Sequence, residues 1–301
     1  MKQMKNHNFY DNCMLCPRTC GAQRSKGKTG ICGVTETLKV ARAALHFWEE
    51  PCISGTKGSG AVFFTGCNLR CCFCQNTTIS MGGTGVPITA ARLRDIYGEL
   101  IEKGAHNINL VTPTPYKKAI LESLAEPLPV PVVYNCGGYE TTATIDAFKG
   151  KVQIYLPDLK YLDPALAKRY SAAEDYPQVA AEAILHMYDQ VGPYELDDDG
   201  LLKKGVVIRH LILPGCLDNT KAVIDWVRDH FADGQVLFSL MRQYVPCGRA
   251  ADYPEINRRL TDEEYDEAEQ YLFDSGIEDG FVQEKDSASE AFIPAFDGTG
   301  V

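Results

Sequence analysis

Six short, almost continuously apolar runs punctuate the chain, and stretches with helical spacing separate them. The runs are 61–66, 107–112, 130–135, 152–157, 206–213 and 235–241, each rich in Val, Ile, Leu, Phe or Tyr. A strand with one wet face alternates apolar and polar residues. These runs do not, which is the pattern of strands buried on both faces in a parallel sheet. Thr89 is placed to cap a helix over 90–103, and further helices are expected over 117–125, 142–148, 177–190 and 219–231. Thr261-Asp262-Glu263-Glu264 has the form of a capping box and opens a last helix reaching about Asp274. Six β/α units in succession predict an α/β fold, a partial (β/α)6 barrel. Right-handed crossovers bring the C-terminal ends of its strands to one face, where barrels gather their active sites.

The segments outside this repeat divide the chain into an N-terminal cysteine-rich extension (1–54), the barrel (55–275) and a C-terminal tail packing on it (276–301). Residues 36–60 read as a short hairpin leading to a glycine-rich connector, Gly58-Ser59-Gly60, with His46 and Cys52 as packing residues. Asp197-Asp198-Asp199-Gly200 reads as an acidic hairpin tip. The aromatic tail from Phe281 to Asp297 is expected to lie across the barrel as a lid or edge strand.

Composition narrows the function classes. The 301 residues are 45% apolar and 23% charged, values of a globular chain, and the formal net charge of −10 argues against a phosphate-binding face and so against nucleic acid. No apolar run reaches the length needed to span a membrane. The basic start, Met1 to His7, has no apolar stretch behind it and is not read as a secretory signal. Twelve cysteines without such a signal point to a reducing, cytoplasmic setting and to metal ligation rather than disulfides.

Two cysteine groups stand out. Cys13, Cys16 and Cys20, with Cys32 beyond Gly30, form a C-x2-C pair and two more thiols in a region of little apolar periodicity, where a metal would supply folding energy. Zinc, an auxiliary iron–sulfur cluster and unligated thiols all fit the spacing, since both metals accept four thiolates. The second group is Gly66-Cys67-Asn68-Leu69-Arg70-Cys71-Cys72-Phe73-Cys74-Gln75-Asn76, directly after the first barrel strand. Cys67, Cys71 and Cys74 are spaced C-x3-C-x2-C. Cubane clusters usually take four protein thiolates. A set of three leaves one iron open, the feature that separates catalytic from structural metal sites.

This loop resembles the cluster loop of the radical S-adenosylmethionine (SAM) superfamily. Further matches at Cys16-Pro17-Arg18, Glu49-Glu50-Pro51, Gly58-Ser59-Gly60, Tyr134-Asn135, Asp158-Leu159-Lys160, Arg209-His210, Leu213-Pro214-Gly215 and Gln243-Tyr244 narrow the resemblance to the branch related to pyruvate formate-lyase activating enzyme. The resemblance implies a [4Fe–4S] cluster on Cys67, Cys71 and Cys74 whose open iron takes the SAM amino and carboxylate groups. It implies one-electron cleavage of SAM to methionine and a 5′-deoxyadenosyl radical, which abstracts a hydrogen atom.

The same resemblance places Phe73 beside the adenine and Asp158 and Lys160 near the SAM carboxylate. Superfamily members often carry Gly-Gly-Glu at the end of the second strand; this chain has Val111-Thr112-Pro113-Thr114 there, so Thr112 or Thr114 would substitute. Asn135, whose amide both donates and accepts, suits a carboxylate or ribose. One of Arg209 and His210 is expected to face the barrel interior, and Gln243 or Tyr244 to reach the pocket. The implied target is a glycine Cα–H in a glycyl-radical enzyme, with flavodoxin or ferredoxin as electron donor. Radical modification of another peptide or small molecule, or a non-catalytic iron–sulfur or zinc protein, are the alternatives.

Overall fold

The computed structural model describes residues 9–283 and 294–301. The strands are β1 (Lys39–His46), β2 (Ser59–Phe64), β3 (Val86–Pro87), β4 (Ile108–Val111), β5 (Val132–Cys136), β6 (Ile154–Pro157), β7 (Glu195–Leu196), β8 (Leu202–Leu211), β9 (Leu237–Met241) and β10 (Gly280–Val282). Six of them, β2, β4, β5, β6, β8 and β9, pair in parallel in chain order. These are the six apolar runs, and they form the partial barrel that the pattern predicts. The helices are α1 (Pro51–Ser54), α2 (Thr77–Ser80), α3 (Ala90–Glu102), α4 (Lys117–Ser123), α5 (Thr142–Asp146), α6 (Pro164–Ser171), α7 (Tyr176–Val191), α8 (Leu217–His230) and α9 (Asp262–Ser275).

Side chains alternate across each strand, so the two faces meet different cores. Val62, Phe64, Ile108, Leu110, Tyr134, Tyr155, Val206, Ile208, Phe238 and Leu240 pack in the large core with the helices. Val133, Ile154, Leu156, Val207 and Leu237 form a separate core with Cys52 and Ile53 of α1. Both faces are therefore dry, which is why hydropathy alone shows no alternation. At the C-terminal strand ends the second face stops being apolar: Val133 gives way to Asn135, Leu156 to Asp158 and Val207 to Arg209.

The segment 36–60 departs from the expected hairpin. It forms one long strand, β1, whose antiparallel partner is β2 itself, followed by α1, which Pro51 opens at a position where a missing N–H costs nothing. Asp197–Gly200 is the expected hairpin tip: β7 and β8 pair antiparallel and Asp197 Oδ1 accepts the N–H groups of Asp199 and Leu201. Of the tail, β10 pairs in parallel with β9 as an edge strand. Residues 294–301 run beside β1, with Gly298 N–H on the Ala41 carbonyl at 2.9 Å and Ala43 N–H on the Thr299 carbonyl at 2.8 Å. Residues 284–293, and the start of the chain through residue 8, lie outside the described residues. Among the described residues no helix is long and apolar enough to cross a membrane.

Candidate active site

The loop after β2 carries Cys67, Cys71 and Cys74 to the face of the C-terminal strand ends. All three line one cavity of about 210 Å³, together with Phe73, Thr112, Asn135, Asp158 and Lys160. Two glycines let the loop sit where it does. Gly66 has φ +90°, and a Cβ there would come within 2.8 Å of the Cys32 carbonyl oxygen; Gly248 has φ +59°, and a Cβ would come within 2.8 Å of the Cys72 carbonyl oxygen. Cys72 does not line the cavity. Its side chain lies in the large core, and its backbone bonds the Tyr170 carbonyl and the Arg249 N–H. The ring of Phe73 is held edge-on by Tyr161, Tyr170 and Tyr244, at centroid distances of 6.5, 6.3 and 5.9 Å.

Burial pushes the Cys67 thiol up to about 12 and raises that of Cys74, which also feels Cys71. Such thiols stay protonated until a metal displaces the protons. Beside them the buried Asn76 Oδ1 has no hydrogen-bond partner, a polar atom on the wall of the same cavity. Cubane thiolates each take a different iron, so three thiols from one loop that line one cavity fit a cluster carried on three thiolates.

Opposite the loop, strand ends far apart in sequence build a closed ion network. Arg209 Nε donates to Asp158 Oδ1 at 2.9 Å, Nη1 to Glu49 Oε2 at 2.9 Å and Nη2 to Asn135 Oδ1 at 2.8 Å. Asn135 Nδ2 donates in turn to Glu49 Oε1 at 3.1 Å, and Lys160 Nζ to Asp158 Oδ2 at 2.6 Å. Burial alone would raise the Asp158 carboxyl, but Arg209 and Lys160 outweigh it and hold it below the usual range. Burial likewise disfavours the Lys160 ammonium, and Asp158 more than restores it. Two cations face two carboxylates, so the network is neutral, and a zwitterionic ligand can exchange into it without leaving a net buried charge.

Beneath the network lies Glu50, whose carboxyl is pushed up to about 7 by burial, against the pull of Arg209. His210, the neighbour of Arg209, points the other way. Its Nδ1 meets the Leu159 carbonyl at 2.7 Å and its Nε2 the Thr220 hydroxyl at 3.0 Å, and burial lowers it to about 4. The two groups act oppositely on stability. The stabilisation linked to protonated Glu50 is present below pH 4.5 and is lost as pH rises through about 7; that linked to neutral His210 is present above pH 6.5 and is lost as pH falls through about 4. Glu50→Gln removes the first alone. Its unfolding free energy in urea should therefore rise more steeply between pH 4.5 and 7 than that of the unmodified chain, and coincident profiles would show that Glu50 is not protonated in the fold.

Of the residues singled out in the sequence, Thr114 is not brought to this cavity. Its buried hydroxyl donates to Glu140 Oε1, and it faces the N-terminal extension. Thr112 does line the cavity, with φ +60°. That is rare for a β-branched residue and a form of strain that collects at functional sites. Gln243 and Tyr244 both reach the wall, as does His46. Glu49 and Glu50 were not assigned to the site in the sequence, although the pair Glu49-Glu50 before Pro51 was the available signal.

The N-terminal cysteines gather at a second, smaller cavity lined by Cys13, Cys16, Cys20 and Cys32. No protein-family model matches the chain. An uncharacterized protein of Methanocaldococcus jannaschii, MJ0674, is 30% identical over 272 residues, covering 87% of this chain and 74% of that protein. Among solved structures, SuiB of Streptococcus suis bound to S-adenosylmethionine superposes with a TM-score of 0.51 and 13% identity, over 75% of this chain and 52% of SuiB. The chain thus spans about half of SuiB and shares its fold. A domain of pyruvate-formate lyase-activating enzyme from Bacteroides vulgatus aligns with a TM-score of 0.37 and 14% identity, over 65% of this chain and 91% of that domain, too loosely to argue for that branch.

Proposed function

We propose that this chain, which belongs to the same family as MJ0674 of Methanocaldococcus jannaschii, is a radical SAM enzyme. The observation that carries the reading is the meeting of three thiols from one loop with the Asp158–Lys160–Arg209–Asn135 network in a single cavity. Cys67, Cys71 and Cys74 would hold a [4Fe–4S] cluster, which when bound supplies one electron to SAM. The chain's own residues do the rest. Lys160 would meet the methionyl carboxylate, and Asp158, kept ionised, would accept a hydrogen bond from the methionyl amino group. Phe73, braced by three tyrosines, offers an apolar face for the adenine.

For the target we infer a backbone segment of a partner chain, with a glycine Cα–H as the hydrogen removed and flavodoxin or ferredoxin as the electron source. Support comes from the open side of the barrel. There β1 is flanked by the two-residue strand β3 and the short stretch 294–301, pairing that an extended peptide could replace. SuiB has also been solved with its precursor peptide SuiA.

The test is anaerobic reconstitution with iron and sulfide, reduction with dithionite and addition of SAM. Release of 5′-deoxyadenosine supports the reading. A folded, iron-loaded protein that leaves SAM intact overturns it.

A further inference from the structure

We propose that Cys13, Cys16, Cys20 and Cys32 hold a second metal centre, a four-thiolate site for a thiophilic metal, and that this centre braces the loop carrying Cys67. The site does not depend on the radical chemistry proposed above. Residues 9–38 contain one short 3₁₀ turn, Arg24–Lys26, and otherwise only irregular backbone. Tyr10, Cys13 and Leu15 make a very small core of their own, and only Cys32, Val34 and Leu38 reach the large one, little to order some thirty residues without a tether. The backbone brings the four cysteines to one cavity. The Cys13 N–H bonds the Ala22 carbonyl and the Gly21 N–H the Cys13 carbonyl, both at 3.1 Å, which returns Cys20 to Cys13. A Cβ built on Gly30 would touch Cys20 Sγ at 3.2 Å and Cys32 Sγ at 3.4 Å, so those two sulfurs flank one point. The cavity that all four line has a volume of about 10 Å³, roughly that of one small occupant.

A buried cation supplies the second observation. Arg24 is 1% exposed. Its guanidinium bonds the carbonyls of Val34, Thr35 and Pro115 and reaches Cys13 Sγ at 3.7 Å. A positive charge so placed is costly unless an anion compensates it. Four thiolates around a dipositive ion or cluster leave an excess negative charge beside it. Loading with a divalent ion or a preformed dipositive cluster exchanges four S–H protons for the metal, the protons leave to water, and no electron moves. The sulfurs do not yet converge on one ion, so loading tightens the module.

The module sits against the catalytic loop. The Cys32 carbonyl accepts the Cys67 N–H at 3.3 Å. Arg18, between two of the cysteines, donates through Nε to the Asn68 carbonyl at 2.9 Å and through Nη2 to the Leu69 carbonyl at 3.0 Å and the Ser171 carbonyl at 2.7 Å. A metal that fixes Cys16, Cys20 and Cys32 thereby fixes the backbone of the loop that carries Cys67.

The experiment is metal and sulfide analysis of the full chain carrying Cys67→Ala, Cys71→Ala and Cys74→Ala, loaded separately with zinc and with iron plus sulfide. The variant should keep about one zinc, or about four irons with matching sulfide and visible absorbance, and this result also decides which metal the site takes. Cys13→Ser/Cys16→Ser should lose that centre, keep the iron of the catalytic loop, and be cut several-fold faster by protease within residues 9–38. Arg18→Ala should keep both centres but surrender catalytic-loop iron to a chelator several-fold faster. A folded triple variant that binds neither metal overturns the site, as does a Cys13→Ser/Cys16→Ser protein whose metal inventory matches the unmodified chain. Equal chelation rates for Arg18→Ala overturn the bracing role.

Discussion

Replacing Cys71 with Ala is expected to lower 5′-deoxyadenosine release from SAM to that of a protein-free blank. The loss should exceed about a hundredfold, because removing even the outer partners of metal ligands costs roughly ten- to a hundredfold. Cys71 is only 7% exposed and lines the same cavity as Cys67 and Cys74. Two remaining thiolates would hold two irons of four, too few to keep a cubane. The informative control is Cys72→Ala. Cys72 is an equally buried thiol one residue along, but it packs in the core and contributes to the loop through its backbone. An alanine there keeps both backbone bonds and should retain most of the activity and nearly all the iron. If Cys72→Ala abolished SAM cleavage while Cys71→Ala spared it, the ligand register would run through the wrong thiol and the catalytic reading would need rebuilding.

What the sequence disclosed followed from how local each signal is. The six strands were legible because burial on both faces leaves a local mark, an unbroken apolar run. The last helix was legible because its capping box lies within four consecutive residues, Thr261 to Glu264, and both reciprocal bonds form. α6 leaves a weaker mark, because it is only eight residues long, although Asp163 caps it and Pro164 opens it. The cluster loop was legible because its three thiols lie within eight consecutive residues.

The ion network was not legible in the same way. Glu49 and Arg209 are 160 positions apart, and nothing in the spacing of either says that the connection after β1 threads back to meet β8. Thr114 misled for a related reason. The strand end made it a neighbour of Thr112 in sequence, but the positive φ of Thr112 turns the chain and sends Thr114 to Glu140 instead. Of the Arg209-His210 pair, strand alternation required that one face each way. Only the structure shows that Arg209 takes the cavity.

Arg209→Ala should be the most destabilising single change at the site, by roughly 3–5 kcal/mol, the cost of removing one partner from a buried ion pair. The reason is the number of groups that depend on one guanidinium. Asp158 and Glu49 lose their shared cation, and Asn135 Oδ1 loses its donor. Lys160 still faces Asp158, so the uncompensated charge is on Glu49, whose side chain is 10% exposed. For a chain of this size the loss corresponds to a drop in Tm of roughly 5–8 °C. Arg209→Lys should recover only part of it, since an ammonium restores the charge but not three divergent N–H bonds. Urea unfolding of the three proteins at neutral pH measures both effects. An Arg209→Ala protein within about 1 kcal/mol of the unmodified chain would mean that water reaches these carboxylates freely, and the cavity would then lack the dry, charge-matched wall on which Lys160 and Asp158 are proposed to hold SAM.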